Sequence, residues 1–158
     1  IAVTGVQTCA LPISIRGAVP HDVPELWHLC QQLGFEISEA QLADNLMRVL
    51  RNPEKTVLVG TDNQGKVLAW AGLELRALLE SPPMVEITGF VVDEAVRGHR
   101  VGSLLLAAAE GWASRRGVST VVFRSNVIRH EAHHFYLRHG YFVSKTQHVL
   151  MKRLSETP

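Results

Sequence analysis

The chain has 158 residues, of which 46% are hydrophobic and 20% charged, and a net charge of +1. That length fits one domain able to bury its own core without metal or disulfide support. The near-zero charge gives no ground for nucleic-acid or membrane binding, no apolar run is long enough to span a bilayer, and Cys9 and Cys30 make no disulfide framework, so the cytoplasm is the default compartment.

Residues 1–13 stand apart. The run Val3-Thr4-Gly5-Val6-Gln7-Thr8-Cys9-Ala10-Leu11-Pro12-Ile13 resembles one translated frame of a common sequencing adapter and lacks the basic start of a signal peptide. It reads as a non-native leader, with residues 14–158 as one domain. A strand is expected over 14–18. Asp22 then reads as the N-cap of a helix with Pro24 in its first turn and Val23, Leu26, Trp27, Cys30 and Leu33 on its core face. Ser38 and Gln41 form a capping-box pattern for a second helix whose apolar face is Leu42, Leu46, Met47 and Leu50. Strands over 56–60 and 66–75 flank the turn Asp62-Asn63-Gln64-Gly65. Ser81-Pro82-Pro83 is expected to break the chain before a central strand over 85–92. A third helix carries Val101, Leu104, Leu105, Ala108, Ala109 and Trp112, a buried strand covers 119–123, a short helix covers 130–139, and a terminal hairpin pairs 141–143 with 148–151. The order β-α-α-β-β-β-α-β-α-β-β predicts a mixed α/β fold with a mostly antiparallel sheet.

The segment joining the central strand to the third helix carries the clearest chemistry. Arg97, Gly98, His99, Arg100, Val101, Gly102 and Ser103 place glycines and cations where a helix start exposes unpaired N–H groups and the positive end of its dipole. Such a turn suits a phosphate or pyrophosphate.

Arg97 and Gly102, following Val91-Val92-Asp93, match the pyrophosphate loop of the GNAT superfamily of N-acetyltransferases, whose pattern is Arg/Gln-x-x-Gly-x-Gly/Ala. Arg100 stands where that family usually has its middle glycine, a departure that fits if Arg100 keeps ordinary helical angles and points outward. A second stretch, Asn126 to Tyr141, resembles the family segment Asn-x(5)-Ala-x-x-Phe-Tyr-x-x-x-Gly-Phe/Tyr through Ala132, Phe135, Tyr136, Gly140 and Tyr141. The resemblance spans about residues 14–153. It implies the acyl-CoA N-acyltransferase fold and acetyl-CoA as co-substrate. It also implies that residues 97–103 hold the pyrophosphate, and that Asn126 with the helix carrying His133 and Phe135 holds the pantetheine and thiol end. Tyr136 is then the general acid for the leaving thiolate, a role that suits a phenol still protonated at neutral pH.

Glu86, on the central strand, is the carboxylate implied as general base through water. Facing the cleft, it would have its basicity raised by burial; facing solvent, it is an ordinary edge charge. Gly89 marks a place for strand distortion, and the N–H groups near Val91 and Val92 are expected to pair with pantetheine or polarise the thioester carbonyl. His130-Glu131-Ala132-His133-His134 also satisfies H-E-x-x-H, a zinc hydrolase pattern, but no third ligand stands downstream. No metal is expected.

The expected activity is acetyl transfer from acetyl-CoA to a primary amine by direct attack in a ternary complex. The alternative is a non-catalytic acyl-CoA-binding sensor on the same fold. Glu36, Glu39 and Glu80 favour a polyamine or aminoglycoside acceptor unless they are solvated surface; an amino acid or a protein amine stays open. Dimerisation is common in that family.

Overall fold

A computed structural model of the chain describes residues 12–154. The leader up to position 11, Cys9 included, lies outside them. The chain divides after Arg124 into two units.

The first unit contains β1 (Ser14–Gly17), α1 (Val23–Gln32), α2 (Glu39–Leu50), β2 (Lys55–Thr61), β3 (Val67–Leu78), β4 (Ser81–Val92), α3 (Val101–Ser114) and β5 (Val121–Phe123). The five strands form one sheet in the order β1-β2-β3-β4-β5. Pairing is antiparallel from β1 to β4 and parallel between β4 and β5, so the sheet is mixed and mostly antiparallel as expected.

Side chains of successive strand residues point to opposite faces. A methyl on Gly60 would meet Val101 of α3, whereas Val59 packs into a cluster with Leu26, Leu29 and Cys30 of α1 and Leu42 and Leu46 of α2. One face therefore carries α3 and the other carries α1 and α2. Trp70 and Val91, neighbours across β3 and β4, lie on the α1–α2 face. Buried on α3 are Val101, Leu105, Leu106, Ala109, Trp112 and Ala113. Leu104 is exposed and Ala108 half-buried, so Leu106 and Ala113 replace them in the predicted core set. Leu29 likewise joins the core of α1, while Trp27 is half-buried and donates its indole N–H to the Ile37 carbonyl at 2.8 Å.

Local signals are met unevenly. Asp62 accepts the Gln64 and Lys66 N–H groups and closes the β2–β3 turn. Ser38 caps α2 by accepting the Gln41 N–H at 3.1 Å, but the Gln41 side chain donates to Asn45, leaving the box half formed. Asp22 does not cap α1. Its buried carboxylate faces back to Arg16, at 2.7 and 2.8 Å, and to the Val19 N–H. The prolines do not precede the central strand either: β4 begins at Ser81 and contains Pro82 and Pro83. They sit at a register irregularity opposite β3, where missing N–H donors are tolerated.

The second unit holds α4 (His130–Arg138). Gly140, at φ +87°, ends it; the Tyr141 N–H returns to the Tyr136 carbonyl and the Gly140 N–H to Leu137. The expected terminal strands are absent: residues 141–154 have no regular structure, and Phe142, Val149 and Leu150 are 82%, 87% and 92% exposed. Their apolar stretches are only three or four residues long and split by Ser144, Lys145, Thr146 and Gln147, too little for a two-stranded ladder to hold by itself. No described helix is long and apolar enough to cross a membrane.

Candidate active site

The turn between β4 and α3 is built by capping. Asp93, buried, accepts the Ala95 N–H at 3.0 Å and the Gln32 side-chain amide at 3.2 Å; Gln32 in turn accepts the Glu94 N–H at 3.1 Å. The last residue of α1 thus pins the start of the turn. Burial alone would raise the Asp93 carboxyl, but the Ala95 and Gln32 donors outweigh it and hold the group below its ordinary value.

Gly98 then adopts φ +85° and Arg100 φ +66°. Arg100 therefore does not keep ordinary helical angles; it is the one non-glycine residue at positive φ among the described residues. The turn needs a left-handed residue just before α3, and this chain supplies it without glycine. The first backbone bond into α3 runs from the Leu104 N–H to the Arg100 carbonyl. Among the described residues, no acceptor takes up the N–H groups of Gly98, Arg100, Val101 or Gly102. The His99 N–H is spent within the turn, on the Val96 carbonyl at 3.1 Å. No acidic residue occupies the first turn of α3, where Ser103 also lies, and Arg97 is exposed with only a 4.0 Å approach to Glu94. This arrangement can receive an oxyanion.

The preceding strand offers a second feature. β5 pairs with β4 only from Val85 to Ile87; the Asp93 N–H on the Leu68 carbonyl sets the alternation that turns the Val91 backbone into the β3 ladder and leaves that of Val92 facing the β5 side, with no strand partner among the described residues. On the β3 side the register slips by one at Thr88: Gly72 pairs with Gly89, but Leu73 pairs with Ile87. Both glycines are required there. A methyl on Gly89 would stand 2.5 Å from the Trp70 ring, and one on Gly72 would stand 2.7 Å from the Thr88 hydroxyl. The expected distortion thus centres on Thr88, next to Gly89.

Glu86 lies on the sheet face that carries Trp70, farther along the strands. It is 6% exposed. Oε2 accepts from Arg76 Nη1 at 2.5 Å and Oε1 from Arg124 Nε at 2.8 Å. It is therefore neither a free cleft carboxylate nor a solvated edge charge. Arg76, Arg124 and Gln32 carry no local motif, and the residue-by-residue reading missed all three.

The family model described as "Acetyltransferase (GNAT) family" matches residues 21–141. The chain belongs to the GNAT acetyltransferase family. It is an acetyl-CoA-dependent N-acetyltransferase. An aminoalkylphosphonate N-acetyltransferase of Salmonella typhimurium is 31% identical over 129 residues, 80% of this chain and 83% of that protein. The aminoglycoside 6'-N-acetyltransferase AAC(6')-Ih of Acinetobacter baumannii superposes with a TM-score of 0.79 at 12% identity, covering 91% of this chain and all of that one. AAC(6')-Iy in complex with a bisubstrate analogue, CoA-S-monomethyl-acetylneamine, gives a TM-score of 0.78 at 18% identity over 90% of this chain and 99% of that one. At those identities the two structures establish the fold.

The remaining GNAT positions lie in the second unit. Asn126 accepts the Ile128 N–H at 3.2 Å through its side chain and the Arg129 N–H at 3.0 Å through its carbonyl, which sets the turn into α4. His133, Phe135 and Tyr136 are half-buried on α4. The Tyr136 ring packs edge-on against Phe135 and Tyr141. Burial pushes the Tyr136 phenol well above its ordinary range, against a smaller opposing pull from Arg129, so it stays protonated at neutral pH. Among the described residues no group of three or more His, Cys, Asp or Glu side chains converges as a metal site, His130 and His134 included.

Proposed function

We propose that the GNAT chain acetylates the primary amine of a small molecule, and that the β4–turn–α3 segment binds acetyl-CoA. The free amide row at Gly98, Arg100, Val101 and Gly102, on one continuous segment with the open backbone of Val92, carries this reading. The amides and the guanidinium charges of Arg97 and Arg100 suit a pyrophosphate. The Val92 backbone, open on the β5 side, suits an amide of a pantetheine arm running back along β4 toward Thr88, where the thioester then lies; the Val91 N–H is turned into the β3 ladder. Bound acetyl-CoA supplies an acetyl thioester, activated toward attack by a neutral amine. Tyr136 holds the proton that the departing sulfur requires, and Asn126, His133 and Phe135 serve the thiol end.

Glu86 enters as the anchor of Arg76 and Arg124, because both its oxygens already hold guanidinium N–H groups; the proton of the attacking amine leaves through water. A Glu86→Gln enzyme that loses an acid-side limb of the pH–rate profile, with KM for the amine unchanged, would return Glu86 to the role of base. A small acceptor is supported by the relatives' substrates, aminoalkylphosphonates in one and aminoglycosides in others. Calorimetric titration with acetyl-CoA, followed by thiol-release assays across an amine panel, tests the whole reading. Binding without thiol release for every amine would refute catalysis, and no binding would refute the site.

A further inference from the structure

We infer that Arg76 and Arg124 form a subsite for an acidic group on the acceptor, so that the preferred amine carries a phosphonate or carboxylate a few bonds from its nitrogen. The inference rests on the acetyl-transfer reading above and names the substrate class for that site.

One carboxylate, Glu86, neutralises one guanidinium and leaves the other in excess. The three side chains therefore carry one net positive charge between them. The geometry of the second guanidinium is informative. Glu86 holds Arg124 by Nε alone, which leaves the terminal Nη1–Nη2 fork, the edge suited to a bidentate oxyanion, with no acceptor among the described residues. The Arg124 side chain is 61% exposed, so that fork is open to a ligand, while the buried carboxylate fixes its stem. Arg76 is similarly held through Nη1, with its side chain 35% exposed.

Position sets the length of the acceptor. Glu86 precedes Thr88, the first β4 residue past the β5 pairing, by two residues, or about 7 Å along a strand. A short linker between acid and amine spans that distance. A polycation would meet a like-charged pair instead. Glu36, Glu39 and Glu80, which the sequence offered for a polyamine, are all exposed surface groups.

The test compares 2-aminoethylphosphonate, β-alanine, propylamine and spermidine as acceptors for the wild type and for Arg124→Gln. The expected result is a preference for the acidic amines over propylamine on the order of 10- to 100-fold in kcat/KM, lost in Arg124→Gln with propylamine turnover and the acetyl-CoA KM unchanged. Arg124→Lys should recover only part of it, because an ammonium lacks the fork. The phosphonate and β-alanine arms tell the two oxyanions apart. Equal use of propylamine or spermidine, or an Arg124→Gln loss shared by every amine, would overturn the subsite and leave the transferase reading standing. If no amine releases thiol, thermal protection by ethylphosphonate in the presence of coenzyme A decides alone. Protection that Arg124→Gln abolishes upholds the anion site while the acetyl-transfer reading falls; no protection ends both.

Discussion

Arg100 is the sharpest energetic feature of the loop. A non-glycine residue at φ +66° places its Cβ against the following carbonyl, at a cost of about 1–2 kcal/mol. Glycine removes that cost but brings extra freedom in the unfolded chain worth about 0.4–1 kcal/mol. Arg100→Gly should therefore be more stable than Arg100→Ala by about 0.8 kcal/mol. The two variants lose the same guanidinium, so their difference isolates the backbone. For a domain of this size that corresponds to a Tm difference of about 2–3 °C. Calorimetry and urea denaturation, with equal m-values, measure it directly. Both variants should weaken acetyl-CoA binding to a similar degree, since the charge near the phosphates is gone in each. Equal stability, or a more stable alanine variant, would mean that Arg100 is not left-handed in solution and that the loop has a different backbone path.

Gly102→Asp places a carboxylate in the first turn of α3, where it favours the helix dipole by about 0.3–1 kcal/mol yet repels a pyrophosphate. Thermal stability should hold or rise while acetyl-CoA Kd increases on the order of 100-fold; unchanged Kd would move the phosphate site elsewhere. Tyr136→Phe should lower kcat by roughly 10²- to 10⁴-fold with acetyl-CoA Kd nearly constant, and unaltered turnover would exclude the phenol from proton transfer. Asp22 is held below its ordinary 3.8 by the Arg16 hydrogen bonds, which outweigh burial. A depressed carboxyl stabilises the fold above its unfolded value and loses that stabilisation as pH falls through the lower folded value. Arg16→Met should cost about 1–2 kcal/mol at pH 7, discounted for the half-exposed arginine, and the gap from wild type should narrow below about pH 4. A gap independent of pH would place the loss in packing instead.

Features encoded within a few residues were legible in the sequence. The β-branched run of β4, the turn chemistry of Asp62 and Gly65, the Ser38 cap and the glycine end of α4 each depend on neighbours close in the chain. The strand–turn–helix of the candidate phosphate site belongs to this class, because N–H groups exposed at a helix start need only the helix itself. Legibility failed where a residue had two local options. Asp22 fits an N-cap, but Arg16 on β1 reorients it. Arg100 fits a helical start, but the turn after Gly98 requires a left-handed link. Residues 141–143 and 148–151 have strand propensity, but propensity makes no strand without a partner edge.

The sequence by itself determined the family, the order of elements through α4 and the turn with free N–H groups ahead of α3, since periodicity and turn chemistry act over short stretches. Only the tertiary structure decided what surrounds Glu86. Arg76 is ten residues away and Arg124 thirty-eight, and they reach the same carboxylate because β3, β4 and β5 align in one register. A one-residue slip turns a strand side chain to the opposite face, so the slip at Thr88 and the pairing below it fix which charges meet.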